Sequence, residues 1–237
     1  MALFRGCFIT GTDTGVGKTG ICLALIELLK RRGCRVAAMK PVASGGVNTG
    51  AGVQNHDARL ILEHINTAHD YAAVNPYALR QPAAPLFAAK QDGVKIDSAP
   101  ILESFQNMAR DADVVLVEGV GGWHIDLSEV LRMSDIVKML QLPVLMVVGM
   151  RLGCINHALL TAEAIQADGC WLAGWIGNQI DPDYRELDAT RDLLSVSLAA
   201  PMLGSVPYVR TGGVEKMADF LDNINFPEVG LARKPRG

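Results

Sequence analysis

Residues 11–19, Gly11-Thr12-Asp13-Thr14-Gly15-Val16-Gly17-Lys18-Thr19, constrain this chain more than any other segment. They follow a short apolar run, Cys7-Phe8-Ile9, and open a helical pattern with Ile21, Leu25, Leu28 and Leu29 on one face. A strand, a glycine-rich loop ending Gly-Lys-Thr and then a helix make the setting of a phosphate-binding loop. Gly15, Val16 and Gly17 would turn successive backbone N–H groups toward phosphate oxygens, and the helix N-terminus behind them adds partial positive charge. Lys18 would reach the outer phosphates, and the Thr19 hydroxyl would hold Mg²⁺. Five residues rather than four separate Gly11 from Gly17, so Thr12 stands where the usual motif has its first glycine. The segment predicts a site for a nucleoside triphosphate.

The rest of the chain reads as the scaffold such a loop needs. Short apolar runs recur at Arg35–Met39, Asp113–Val117, Pro143–Val148, Trp171–Ile176 and Met202–Val206. Helix-period segments lie between them, near 18–31, 55–64, 98–110, 127–140, 153–167 and 184–196. That alternation predicts βαβ units and a largely parallel sheet with helices on both faces. Gly45–Gly52 reads as a flexible loop and Pro76–Pro85, with three prolines, as an extended segment. No linker divides the chain, so one domain is expected over 1–227, with a loose tail at 228–237. A formal charge of −3 and the lack of a Lys/Arg stripe give no footing for nucleic acid. No signal or transit peptide is recognised, and Leu142–Met150 is too short to cross a bilayer. The five cysteines, without C-x-x-C pairing, read as core residues of a cytoplasmic protein rather than staples or zinc ligands.

Four further segments are candidates for chemistry, because open α/β sheets bind ligands beyond the carboxyl ends of their strands. After the second strand, Lys40-Pro41-Val42-Ala43-Ser44-Gly45 places a lysine that Pro41 holds extended. It suits a cation that neutralises charge during phosphoryl transfer, and equally a solvated strand-end lysine. Val114-Val115-Leu116-Val117 delivers Glu118 into Gly119-Val120-Gly121-Gly122, a carboxylate where phosphate-loop enzymes hold Mg²⁺. Asp57 in Asn55-His56-Asp57-Ala58 reads more readily as a helix cap. Gly153-Cys154-Ile155-Asn156 opens a helix whose free N–H groups suit an anion, though an ordinary loop-to-helix junction fits as well.

Taken together these segments resemble the dethiobiotin synthetases of the biotin pathway. The resemblance runs in order from about residue 7 to 209, through Gly11–Thr19, Lys40–Gly45, Val74-Asn75-Pro76-Tyr77, Val117–Trp123, Leu152–Ala158 and Gly174-Trp175-Ile176-Gly177-Asn178. It implies a P-loop NTPase-like α/β domain with a seven-stranded, largely parallel sheet, acting as a cytoplasmic homodimer. The implied reaction closes the ureido ring of dethiobiotin from 7,8-diaminononanoate, CO₂ and ATP. By position, Lys18 and Lys40 would meet the γ-phosphate and carbamate, with Thr14 and Ser44 close to the substrate. Thr19, Asp57 and Glu118 match the Mg²⁺ positions. Gly15, Val16, Gly17, Gly119 and Gly121 fall among the ATP contacts. Asn178 matches the adenine reader, and Pro207, Tyr208 and Val209 the base pocket. Gly153, Cys154, Ile155 and Asn156 match the site that holds the substrate carboxylate from the partner subunit, giving composite active sites.

Two positions depart from the family pattern. Gly15 stands where some members have an acidic residue near the amines, and Thr190 where some have a carboxylate-binding tyrosine, with Tyr184 nearby. Two other readings share the phosphate loop. One is a ligase like the cobyrinic acid diamide synthases, which carry a further glutaminase domain. The other is a partitioning-type ATPase switch, whose loop has a second lysine where this chain has Asp13.

Overall fold

Six fully buried residues, Gly6–Gly11 (β1), run through the middle of the molecule as a strand with no solvent-facing side. The computed structural model describes residues 6–209 and 213–224, so the expected tail at 228–237 lies outside the described residues. From β1 the chain enters α1 (Lys18–Arg31), β2 (Val36–Met39), β3 (Val42–Ala43), β4 (Val47–Thr49) and β5 (Gly52–Gln54). It continues through α2 (His56–His64), α3 (Tyr71–Val74), β6 (Tyr77–Ala78), α4 (Pro85–Asp92), α5 (Ser98–Asp111) and β7 (Val114–Glu118). Next come α6 (Met133–Leu140), β8 (Val144–Met150), α7 (Cys154–Ala167), β9 (Leu172–Gln179), α8 (Leu187–Ser197), β10 (Met202–Val206) and α9 (Gly213–Asp219).

The main sheet is parallel throughout, in the order β10-β9-β8-β1-β7-β2. It has six strands among the described residues, not the seven that the family resemblance implies. At its edge β2 stops at Met39, two residues before Pro41, which has no N–H to donate. The short strands beyond Pro41 pair separately, β3 with β6 and β4 with β5. The central strands β1, β7 and β8 are buried along their whole length, as a sheet covered by helices on both faces requires.

Strand order reverses at β1. The chain crosses to β2 and returns through β7 on one side of β1, then passes to β8 on the other. A crevice opens at such a reversal, beyond the carboxyl ends of the strands, and the residue 12–17 loop lies there.

Other expectations shift locally. The 45–52 segment is not an unstructured loop but part of an antiparallel hairpin, with Val47 opposite Gln54. The Thr49 hydroxyl donates to Gly52 O at 2.8 Å and accepts from the Ala51 N–H. The helix expected at 127–140 begins only at Met133. Before it, Leu127 and Ser128 both donate backbone N–H groups to Leu131 O, closing a turn. Pro85, the last residue of the extended segment, starts α4, where the missing N–H of a first-turn proline does no harm. α9, the last helix among the described residues, packs against α1, with Arg31 donating to Asp219 at 2.7 Å.

Candidate active site

The loop after β1 has the left-handed turns its glycines predict, at Gly15 and Gly17. Gly17 sits at φ 87°, a left-handed conformation that glycine adopts at little cost. A Cβ there would lie 2.2 Å from Asn178 Nδ2. That same Nδ2 donates to Val16 O at 2.9 Å, so the β9 carboxamide braces the loop from behind. Asp13 pins the other flank, accepting from Arg151 at 2.7 Å across 138 residues of sequence. Lys18 folds back to donate to Asp13 O at 3.0 Å and is only 7% exposed. Burial pushes its pKa down to about 8, with nearby Lys40 adding to the effect against Glu118 and Asp13.

Charge converges at the ends of β2, β7 and α1. The Lys40 ammonium, 5% exposed, donates to Glu118 Oε1 at 2.5 Å and Asp57 Oδ2 at 2.9 Å. The Thr19 hydroxyl donates to the same Glu118 Oε1 at 2.8 Å. Burial works against the charge on Lys40, but the two carboxylates outweigh it and hold its pKa above the ordinary lysine value. Burial also raises the Asp57 carboxyl, and the Lys40 ammonium overrides that to hold it below its usual range. Glu118 is fully buried, and its second oxygen, Oε2, has no hydrogen-bond partner. One hydroxyl and two carboxylates with an unsatisfied buried oxygen are the hard donors that fit Mg²⁺. Asp57 is therefore not the cap of α2. Asn55 is, its side chain accepting from the Asp57 and Ala58 N–H groups.

A hydrogen-bond network, unread in the sequence, holds this cluster. Asn75 Nδ2 donates to Lys40 O at 2.6 Å. The Tyr71 hydroxyl donates to Asn75 Oδ1 and accepts the Asn55 N–H. Asn55 Nδ2 in turn donates to Ser44 O at 2.9 Å. Behind Glu118, Gly119 passes so close to Phe8 that a Cβ would come within 2.7 Å of its ring. Trp123 closes the turn, edge-on to Phe8, with its indole N–H on Asp168 at 2.8 Å.

A cleft of about 700 Å³ joins Thr14, Gly15, Gly17, Lys18, Thr19, Lys40, Ser44, Asp57, Glu118 and Gly121. Ser44 Oγ is buried in it without a partner. Pro82, Ala83, Ala84, Pro85, Val120 and Ile125 form an apolar wall that sequence reading missed. The cluster of prolines in 76–85 was its one available signal. Gly153, Cys154, Ile155 and Asn156 do not line this cleft; they begin α7, with Gly153 at φ 90° and no side-chain cap. Asn178 lies opposite Val206 in the β9–β10 register, so Pro207, Tyr208 and Val209 continue beside it. The Tyr208 N–H donates to Gln179 Oε1. The Tyr184 hydroxyl and Thr190 Oγ1 are hydrogen-bonded at 2.6 Å, so the nearby tyrosine meets the departing position directly. Among the described residues no group of three or more His, Cys, Asp and Glu forms a metal cluster. No helix among them is long and apolar enough to cross a membrane.

A parallel sheet with a glycine-rich loop at its point of reversal, a loop lysine and a strand-end carboxylate define a nucleotide-binding protein of the phosphate-loop class. The sequence matches a protein family described as an AAA domain over residues 5–214. It is 48% identical over 201 residues to the ATP-dependent dethiobiotin synthetase BioD of Xanthomonas euvesicatoria, covering 85% of this chain and 90% of that protein. The enzyme of the same name from Pseudomonas aeruginosa is 44% identical over 216 residues, 91% of this chain and 95% of its own length. The chain belongs to the family of ATP-dependent dethiobiotin synthetases. Among solved structures, a ParA family ATPase from Chlorobium tepidum superposes with a TM-score of 0.56 at 13% identity, covering 93% of this chain and 91% of that one. The MinD cell division protein of Aquifex aeolicus gives 0.54 at 19%, covering 92% and 86%. At such identities these two speak for the fold alone.

Proposed function

We propose that this chain is a ligase that forms dethiobiotin from 7,8-diaminononanoate, CO₂ and ATP, releasing ADP and phosphate. The observation that carries this reading is the meeting of Lys18, Lys40, Ser44 and Thr14 with an apolar wall in one cleft. A simple nucleotide switch needs the phosphate donors but not an aliphatic trough beside them.

In this reading one substrate amine captures CO₂ as a carbamate, whose oxygen takes the γ-phosphoryl group from ATP. The second amine attacks the carbonyl carbon of the resulting anhydride, the C–O bond to phosphate breaks, and the ring closes. The backbone N–H groups of Gly15, Val16 and Gly17 and the Lys18 ammonium hold the phosphates. Lys40 neutralises charge on the transferring group, an interaction made chiefly in the transition state. Thr14 and Ser44 orient the diamine, and the wall from Pro82 to Ile125 keeps bulk water from the anhydride. Thr19, Asp57 and Glu118 would hold Mg²⁺, which when bound neutralises charge on the phosphate oxygens. Gly119 and Gly121 let the turn after β7 approach the nucleotide, Asn178 reads adenine, and Pro207, Tyr208 and Val209 line the base. We assign Gly153, Cys154, Ile155 and Asn156 to the carboxylate of the neighbouring subunit's substrate, in a cytoplasmic homodimer. That they do not line the chain's own cleft favours this assignment.

Phosphate release should require both diaminononanoate and bicarbonate, with dethiobiotin formed in equal amount by mass spectrometry. ATP turnover indifferent to the diamine would overturn the proposal and revive the ATPase switch.

A further inference from the structure

Lys40 lies where two different cations have a claim. Its ammonium bridges Asp57 Oδ2 and Glu118 Oε1, and the Thr19 hydroxyl points at the same Glu118 oxygen. Those three side chains are the ones assigned to Mg²⁺, and Lys40 is assigned to the phosphoryl group. Both assignments cannot hold at once with Lys40 in the position seen. A Mg²⁺ ion takes oxygens at about 2.1 Å in a near-octahedral shell, and an ammonium on the same oxygens would repel it.

We propose that Lys40 is a resident counter-ion, exchanged for the metal when nucleotide binds. The inference rests on the dethiobiotin-forming function proposed for this cleft. With Lys40 in place, one ammonium offsets part of the charge of the fully buried Glu118 and the half-buried Asp57 and hydrogen-bonds both, and free divalent metal is kept off them. Nucleotide changes the balance by bringing phosphate charge into the cleft. Lys40 then has an anionic partner to move to, and the carboxylates are released to the metal that accompanies ATP. Lys40 thereby couples the two events: the metal site opens only as the lysine is drawn to the group it neutralises. The orphaned Glu118 Oε2 fits this account, because the ammonium engages one oxygen of a carboxylate that has two to offer.

The coupling makes metal affinity in nucleotide-free protein depend on residue 40. Mn²⁺ would be titrated into such protein, monitored by the electron paramagnetic resonance signal of the free ion. Wild type should bind weakly, and Lys40→Met about tenfold more tightly or better, since no cation has to be displaced. Lys40→Arg, which keeps a cation, should remain as weak as wild type. Adding Glu118→Gln to Lys40→Met should abolish the gain. Loss of Lys40 leaves buried carboxylate charge uncompensated, so Lys40→Met is expected to melt early. Mn²⁺ should then raise its melting temperature while leaving that of wild type unmoved. Lys40→Met binding Mn²⁺ no better than wild type, with no thermal response, would overturn the exchange. So would a gain that survives Glu118→Gln. Dethiobiotin formation by wild type is measured separately, so failure of the proposed function would show there and not in the Mn²⁺ comparison.

Discussion

Replacing Gly17 by alanine tests the link between the phosphate loop and β9, two strands away in the sheet. Two effects add. At φ 87° an alanine carries a left-handed backbone penalty of about 1–2 kcal/mol. Its Cβ would also fall 2.2 Å from Asn178 Nδ2, far inside contact distance, so the carboxamide must leave. That movement breaks its 2.9 Å hydrogen bond to Val16 O and strands a buried amide, for about 1–3 kcal/mol more. The sum is about 2–5 kcal/mol, or a melting-temperature drop of roughly 5–15 °C in a chain of this size. Urea unfolding and thermal melts of Gly17→Ala, Asn178→Ala and the double variant would separate the two effects. With Asn178 already truncated, the clash is absent and Gly17→Ala should add only the backbone share, about 1–2 kcal/mol. The two substitutions are therefore expected to be non-additive by about 1–3 kcal/mol. Strict additivity, or a Gly17→Ala melt within about 2 °C of wild type, would refute the bracing of the loop by Asn178.

The same geometry sets three further outcomes. Because burial lowers Lys18 to about 8, its charged fraction falls from about nine-tenths at pH 7 to about one-tenth at pH 9. Phosphate binding favours the charged form, so ATP affinity measured calorimetrically in EDTA should weaken about tenfold over that range, with proton uptake near pH 8; a flat profile would contradict it. Asn55→Ala removes the cap of α2 and the tie to Ser44 O, and should destabilise by about 1–3 kcal/mol in urea unfolding while raising the Mg²⁺ concentration needed for half-maximal turnover. A stability loss with an unchanged Mg²⁺ requirement would separate Asp57 from the metal. Finally, mixing Lys40→Ala subunits with subunits altered at Gly153 and Asn156 should recover activity, because each mixed dimer would contain one intact composite site. No recovery despite subunit exchange proven by mass spectrometry would place the whole site in one chain.

Local sequence determined a good deal of this protein. Gly-Lys-Thr after an apolar run, Val114–Val117 ahead of Glu118, and the helical spacing of residues 18–31 each specify an element through its own periodicity, and the strands and helices formed there. Polar, solvent-facing segments were less legible: Val47–Thr49 with Gly52–Gln54 is a hairpin held by backbone pairing and Thr49, which leaves no hydrophobic pattern to read. The boundary at Met133 likewise depends on a turn closed by Leu131 O rather than on a break in apolar spacing. Only the tertiary structure decided what Asp57 and Lys40 do. Asp57 looked like a cap until Asn55 took that place, and Lys40 looked equally like a solvated lysine until the sheet buried it. Its two carboxylates are 17 and 78 residues away, and Thr19 meets Glu118 across 99. Such meetings depend on which strands lie side by side, here β2 against β7 and β7 against β1. Strand order results from how the whole chain buries its apolar faces, which no local window contains.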